Sequence, residues 1–335
     1  MKRQKVSLEE IADYRNLCLA LHKASRGKRH RRIVQEFYSE LDSRLSRMAR
    51  DILAEKMPYG RFRAFQIHDP KKRLIHAACF EDRIFHHAVM NVTGERLEKS
   101  MVHHSYACRQ NKGVHRVVQQ VQKNLRRFLW LVKIDISAYF SAIDHEILLR
   151  LLMRHFKGNR FHYQLYRIIK SCPDMEEKGL PIGSLTSQYF ANFYLDGLDR
   201  LLTSHRQVTA AVRYMDDIIW WCPSKKDAKC TLRDVADYLQ ERRLLTVKSN
   251  VQILPCRTGV TYCGFRIMQG IVRLSRRRKQ TINRRRRYWE QEYEQGNLSD
   301  CQLQTAYAAV HAVAQGTDSS AWRKKQLLDK PPPDV

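Results

Sequence analysis

Cysteine pairs, long apolar runs and acid in proportion to base are what this chain lacks. Its 9 cysteines are scattered singly, without a Cys-x-x-Cys pair, which argues against a zinc site and a disulfide framework and fits reduced thiols. No apolar stretch approaches the roughly 18 residues that a spanning helix needs, so no membrane partner is expected. Met1-Lys2-Arg3-Gln4-Lys5 is not followed by the apolar core of a signal peptide, and the expected location is the cytoplasm. No internal repeat is visible. Acid is scarce: 34 Asp and Glu stand against 61 Lys and Arg, leaving +27 over 335 residues. A charge that large calls for a polyanionic partner, and without a membrane segment nucleic acid is the expectation.

Against that basic background, Tyr214-Met215-Asp216-Asp217 lies between Ala210-Ala211-Val212-Arg213 and Ile218-Ile219-Trp220-Trp221. The flanks predict buried strands and the centre a hairpin tip. Adjacent carboxylates repel each other and resist burial; presenting both to a divalent cation removes the conflict. Leu129 to Ile136 is a near-continuous apolar run interrupted by Lys133 and Asp135, which predicts a strand covered on both faces. Asp135 supplies a carboxylate from a second strand, although taken alone it fits a cap on the following turn equally well. Phosphoryl transfer to a sugar hydroxyl uses two metal ions roughly 3.5–4 Å apart, and magnesium needs few protein carboxylates because it keeps waters.

Elsewhere, helices are predicted over Glu9 to His22 and Ile33 to Met57, the second from the spacing of Ile33, Phe37, Leu41, Leu45, Met48 and Ile52. The basic linker Lys23 to Arg32 joins them and suits RNA or a protein partner. Tyr59 to Ile75 predicts a hairpin about Asp69-Pro70. Further helices are predicted at Phe80 to Leu97, from Asp144 with that residue as cap and Glu146 in the first turn, and at Asn192 to Ser204 and Lys226 to Arg242. From Ser275 the chain is helical and strongly basic, and Pro331-Pro332-Pro333 reads as a frayed tail. Arg276-Arg277-Arg278-Lys279 and Arg284-Arg285-Arg286-Arg287 recur about two helical turns apart, so cations of both blocks share a face. Tyr288 and Trp289 are expected to pack that helix down. The pairs His86-His87 and His103-His104 lack an accompanying acidic set and read as structural.

Three ordered segments resemble the A, B and C motifs of reverse transcriptases: Asp135-Ile136-Ser137-Ala138-Tyr139-Phe140, then Gly179-Leu180-Pro181-Ile182-Gly183-Ser184-Leu185-Thr186-Ser187-Gln188, then Tyr214-Met215-Asp216-Asp217. Pro70-Lys71-Lys72-Arg73-Leu74-Ile75 and Ser105-Tyr106-Ala107-Cys108-Arg109 are similar to the upstream fingers blocks, and Tyr262-Cys263-Gly264-Phe265 to the primer grip. The resemblance covers residues 59 to 267. It implies an α+β right-hand polymerase fold: an N-terminal helical extension with the basic linker (1–58), fingers (59–127), a palm whose antiparallel sheet carries the Asp-Asp hairpin (128–267), and a helical basic thumb with tail (268–335).

The same resemblance implies that Asp135, Asp216 and Asp217 ligate two Mg2+ ions, with the Ile136 carbonyl as a further ligand. Lys72 and Arg73 would hold the triphosphate of a deoxynucleotide, and Phe140 would exclude a ribose 2′-hydroxyl. Ile182, Gly183 and Gln188 would line the nascent base pair. The basic thumb blocks would take the phosphates of template RNA and the RNA/cDNA duplex. Many members of the family have Gln before the motif B glycine and Ser-Pro at its end; here Ile182 and Ser187-Gln188 stand instead. That pattern resembles diversity-generating retroelements, whose enzymes misincorporate opposite template adenines and work with a separate accessory variability protein. Retron-type and group II intron-derived enzymes are the alternatives, the second expected to need more chain beyond residue 335. A catalytically silent RNA-binding or defence scaffold is a third. The residue aligned with the family's leaving-group lysine is Gln252; Lys248 is expected to fall short of that role, and the general acid is unassigned.

Overall fold

The computed structural model describes residues 3–68 and 72–333. In chain order the elements are β1 (Gln4–Lys5), α1 (Leu8–Ala12), α2 (Tyr14–Ser25), α3 (Arg32–Ser39), α4 (Leu41–Leu53), β2 (Phe62–His68), β3 (Lys72–Ala78), α5 (Phe80–Ser100), α6 (Val114–Arg127), β4 (Trp130–Asp135), α7 (Tyr139–Ala142), α8 (His145–Met153), β5 (Phe156–Lys157) and α9 (Asn159–Ile169). Then follow α10 (Leu185–Tyr194), α11 (Asp196–Ser204), β6 (Ala210–Tyr214), β7 (Asp217–Cys222), α12 (Lys225–Arg243), β8 (Gln252–Pro255), β9 (Val260–Tyr262), β10 (Phe265–Ile267), β11 (Val272–Leu274), α13 (Arg276–Glu294), α14 (Asp300–Ala312) and α15 (Ser320–Asp329). Among the described residues no helix is long and apolar enough to cross a membrane.

Two compact units divide these elements, each assembled from separated stretches of chain. The first holds Met1–Arg109, Asp135–Leu202 and Arg233–Ser249. Its centre is α5, whose Ile84, Phe85, Ala88, Val89 and Leu97 are fully buried and which packs against α2 and α10. A helix buried on most of its circumference needs apolar or satisfied residues all round. Asp82, fully buried, meets that requirement by accepting from the backbone N–H groups of Tyr59 (2.7 Å) and Gly60 (3.0 Å). From this body extends the antiparallel hairpin β2–β3, paired from Phe62↔Ala78 to His68↔Lys72. Phe65, Ile67 and Leu74 on it are exposed. The turn expected at Asp69-Pro70, with Lys71, lies outside the described residues.

The predicted helix Glu9 to His22 is instead α1 and α2. Asp13 separates them because its carboxylate accepts from Asn16 N at 3.0 Å and starts a new helix. Ile33 to Met57 likewise breaks, at Glu40, where φ −121° and ψ 34° leave the helical region. Within α3 the buried residues are Val34 and Phe37, so Val34 is buried where Ile33 was expected and Ile33 is 48% exposed. Asp144 caps α8 as the sequence suggests, accepting from Ile147 N at 3.0 Å.

The second unit holds Gln110–Ile134, Thr203–Leu232 and Asn250–Val335. Its main sheet runs β6-β7-β4-β8, with β6–β7 and β4–β8 antiparallel. Leu131, Val132, Ile134, Ile218, Ile219, Trp220 and Trp221 are buried almost completely. The Trp220 indole N–H donates to Thr231 Oγ1 at 2.9 Å, which satisfies the one polar atom that this large ring carries inward. A second antiparallel sheet, β11-β10-β9, leads into α13. Ser275 caps α13 by accepting from Arg278 N at 3.2 Å.

Candidate active site and the segments that present it

In the second unit, Tyr214 pairs with Asp217, so Met215 and Asp216 alone form the turn between β6 and β7. Met215 has φ 57°, a left-handed conformation that a residue with a Cβ adopts at a cost. The fold holds it there through Arg213, 1% exposed, whose guanidinium donates to the Met215 carbonyl at 3.2 Å. Asp216 therefore stands in the turn itself and Asp217 begins β7. The Asp217 side chain is 21% exposed, with Oδ1 3.4 Å from Lys133 Nζ. Lys133 also donates to the Thr261 carbonyl at 3.0 Å and lies 5.8 Å from the centre of the Tyr262 ring. Tyr262 completes the cluster by donating its hydroxyl to the Asp217 carbonyl at 2.9 Å.

Burial pushes the Tyr262 hydroxyl far above its usual range, with Cys263 and Asp217 adding to the effect, and so keeps it a donor. The following turn, Cys263-Gly264, has φ 47° and 81°. Positive φ at both central positions is the requirement of a tight type I′ hairpin, here joining β9 and β10. Gly264 has a second reason to be glycine, since a Cβ there would stand 2.7 Å from Arg278 Nε. Arg278 lies with its guanidinium carbon 4.2 Å from the Phe265 ring centre.

Lys133 and Arg213 were not singled out in the sequence, although one signal was available. Lys133 precedes Asp135 by two residues in a strand, the spacing that puts two side chains on one face.

In the first unit, the Asp135 carbonyl accepts from Lys248 N at 2.9 Å, and Lys248 Nζ lies 3.7 Å from Asp135 Oδ1. Lys248 thus reaches this carboxylate. Ile136, fully buried, bridges Val247, and Ser137 N donates to the Thr246 carbonyl at 2.8 Å. Phe140 is half-buried; its carbonyl accepts from Leu180 N at 2.8 Å, and its ring meets Tyr139 edge-on at 5.8 Å. That hydrogen bond seats the Gly179–Ser184 loop on the segment after β4.

The same loop is tied to β3. The Ile182 carbonyl accepts from His76 N at 3.2 Å, and a Cβ at Gly183, where φ is 114°, would come within 3.2 Å of Ile75 Cγ2. Ile182 and Gln188 are both half-buried, and Cys108 Sγ donates to Gln188 Oε1 at 3.6 Å. At the start of α10, His86 Nδ1 lies 2.6 Å from Thr186 Oγ1 and 3.2 Å from Ser184 Oγ. Burial pushes this imidazole down to about 3, so it is neutral and structural, as the sequence suggests. Lys72 and Arg73 are exposed on β3, paired with His68 and Ile67.

The basic blocks of α13 divide by environment. Arg276, Arg277, Arg284, Arg285 and Arg287 are exposed, Arg278 and Lys279 half-buried. Lys279 Nζ lies 5.4 Å from the Trp322 ring centre. Arg286 is 5% exposed and turns inward: it pairs with Glu290 at 2.9 Å and donates to the carbonyls of Gln326 (3.3 Å) and Lys330 (2.8 Å) at the end of α15. Tyr288 does not pack down as expected, being 51% exposed, with its ring against that of Trp289 at 5.0 Å.

The family model described as reverse transcriptase (RNA-dependent DNA polymerase) matches residues 67–267, more than half of the chain. Protein YkfC of Escherichia coli is 23% identical over 206 residues, covering 58% of this chain and 49% of the relative. The group II intron-encoded protein LtrA of Lactococcus lactis is 24% identical over 139 residues, covering 39% of this chain and 23% of the relative. The chain thus spans less than half the length of each of these two curated relatives. Among solved structures, apo telomerase from Candida tropicalis aligns with TM-score 0.49 and 14% identity, over 64% of this chain and 55% of that one.

Proposed function

Because the chain belongs to the reverse transcriptase family, we propose that it is an RNA-directed DNA polymerase with fingers, palm and thumb, extending a primer 3′-hydroxyl with deoxynucleotides. The observation that carries this is the β6–β7 turn: Arg213 grips its backbone from inside, and Asp216 and Asp217 stand at the tip beside Lys133. Two adjacent carboxylates presented from a turn whose Met215 sits at φ 57° are hard to account for by packing alone, and strain of this kind gathers at functional sites.

Asp135, Asp216 and Asp217, with the Ile136 carbonyl, would hold two Mg2+ ions. The donors are hard oxygens, the set that magnesium prefers. When bound, such a pair stabilises charge on the attacking and leaving oxygens. Lys133 and Lys248 stand beside Asp217 and Asp135 as counter-charges, at 3.4 and 3.7 Å. Lys72 and Arg73 bind the triphosphate, the Arg through its forked donors, and Phe140 excludes a 2′-hydroxyl. Tyr262 to Phe265 position the primer strand. Template RNA and the growing duplex lie along the exposed cations of α13.

The finer proposal is the adenine-selective infidelity of a diversity-generating retroelement, with a separate accessory protein as partner. Ile182 offers no hydrogen bond to a misplaced base pair, and an apolar side chain discriminates only weakly between similar substrates. The match to a group II intron-encoded protein favours a second reading, an intron-type enzyme of ordinary fidelity. Sequencing DNA made by the full chain on a defined RNA template, with and without the candidate partner, tests all of this. Errors concentrated at template adenines support the retroelement reading. Evenly faithful DNA supports the intron-type one, and no DNA under either condition overturns the polymerase assignment.

A further inference from the structure

His76 at the buried end of β3 and the loop after α9 meet in a cluster unrelated to the carboxylates above. His76 Nε2 lies 3.1 Å from Asp174 Oδ2, and a ligand atom of Cys172 joins them with all three within 4.8 Å of one another. His76 and Cys172 are 3% and 1% exposed, whereas the Asp174 side chain is 68% exposed. We propose that His76, Cys172 and Asp174 bind one divalent cation of the zinc class, completing its coordination with water on the Asp174 side.

The donor set is the first reason. Thiolate, imidazole and carboxylate together suit a borderline cation such as zinc and are a poor set for magnesium. Bond lengths of about 2.0–2.3 Å at a tetrahedral centre separate ligand atoms by about 3.3–3.6 Å, so the cluster needs only small side-chain adjustments. The second reason is the state of His76. Its Nδ1 is buried and makes no hydrogen bond among the described residues. The ring's polar contact is therefore Nε2 with Asp174, and a cation held between these two atoms is also within reach of Cys172. Exposed Asp174 gives the ion an entry path. Burial pushes the Cys172 thiol up, so binding must displace its proton and weakens in acid.

Bound there, the ion would staple β3 to the 170–184 loop next to the His76 N to Ile182 O hydrogen bond. Its ligands would join His76 to a residue 98 positions away, a separation that sequence-spacing rules do not survey.

The test uses the full chain carrying Asp216→Ala and Asp217→Ala, so that those carboxylates contribute no ligand, titrated with Co2+ alone. The expected result is a saturable near-ultraviolet sulfur-to-cobalt charge-transfer band, with visible bands of low-coordinate cobalt, both displaced by stoichiometric Zn2+. Cys172→Ser should abolish the charge-transfer band. Asp174→Ala, at an exposed position that leaves folding intact, should weaken Co2+ binding on the order of ten-fold or more. No thiolate band, a band that persists in Cys172→Ser, or unchanged affinity in Asp174→Ala would each overturn the assignment.

Discussion

Gly264 and His86 show how single residues in this chain answer to several constraints at once. Gly264 sits at φ 81°, with Arg278 Nε 2.7 Å from where a Cβ would be. Gly264→Ala should therefore lower stability by about 1–2 kcal/mol in urea unfolding, and should loosen the Tyr262 turn that touches Asp217. An unchanged midpoint would show that Arg278 moves aside without cost. His86 makes a pH prediction. Burial holds it down to about 3, and burial followed by Lys23, Arg83 and Lys28 holds neighbouring His87 down to about 4. Both folded values are below the ordinary value of about 6.5, so the unfolded chain takes up protons first as pH falls. Stability is then full above pH 6.5 and declines as pH falls toward 4, by about 1.4 kcal/mol per pH unit for each proton. Unfolding series at pH 7, 6 and 5 should show this slope, reduced by one proton in His86→Gln. At this scale the sequence was most legible where chemistry is local: Asp144 caps α8 as its position before an apolar run suggests. Arg213 was not legible, because nothing in a strand pattern says that a buried arginine will turn back onto the next turn's carbonyl.

Helix α13 carries the element-scale argument. Its run of arginines looks uniform in sequence, yet Arg286 anchors α15 while Arg284 and Arg287 face outward. Replacing both outward residues with Glu should weaken binding to an RNA/DNA duplex and reduce the slope of log affinity against log salt by about 0.9 for each phosphate left without its cation. Arg286→Ala should instead lower thermal stability, since Glu290 and the α15 carbonyls lose their partner. Equal effects of the two changes on binding and stability would erase this division. Which cation turns inward depends on where α15 ends, and that information is remote in sequence. The helix breaks at Asp13 and Glu40 were missed for the opposite reason: the apolar spacing carries through them nearly unbroken. Helices α6 and α9 did carry a signal, in Val117, Val121 and Leu125 and in Phe161, Leu165 and Ile168, all buried at helical intervals.

Across the whole molecule, the ordered motif residues revealed the family before any coordinates, because catalytic chemistry constrains residue type at short spacing. The assembly of two units from interleaved stretches was not legible, since local periodicity says nothing about which distant segments meet. The same holds for the His76 cluster and for the reach of Lys248 to Asp135. With a charge of +27, the proposed phosphate binding draws on cations and the proposed catalysis on carboxylates, so the two can be tested separately. The central claim, that Asp216 and Asp217 serve polymerisation, is tested most directly by single-turnover extension of a DNA primer on an RNA template with the Asp216→Ala, Asp217→Ala chain, alongside a binding titration of the same duplex. The account predicts that extension is abolished while duplex affinity stays within a few-fold of the unaltered chain, because the cations that hold the phosphates remain. Retained DNA synthesis in that variant would contradict it.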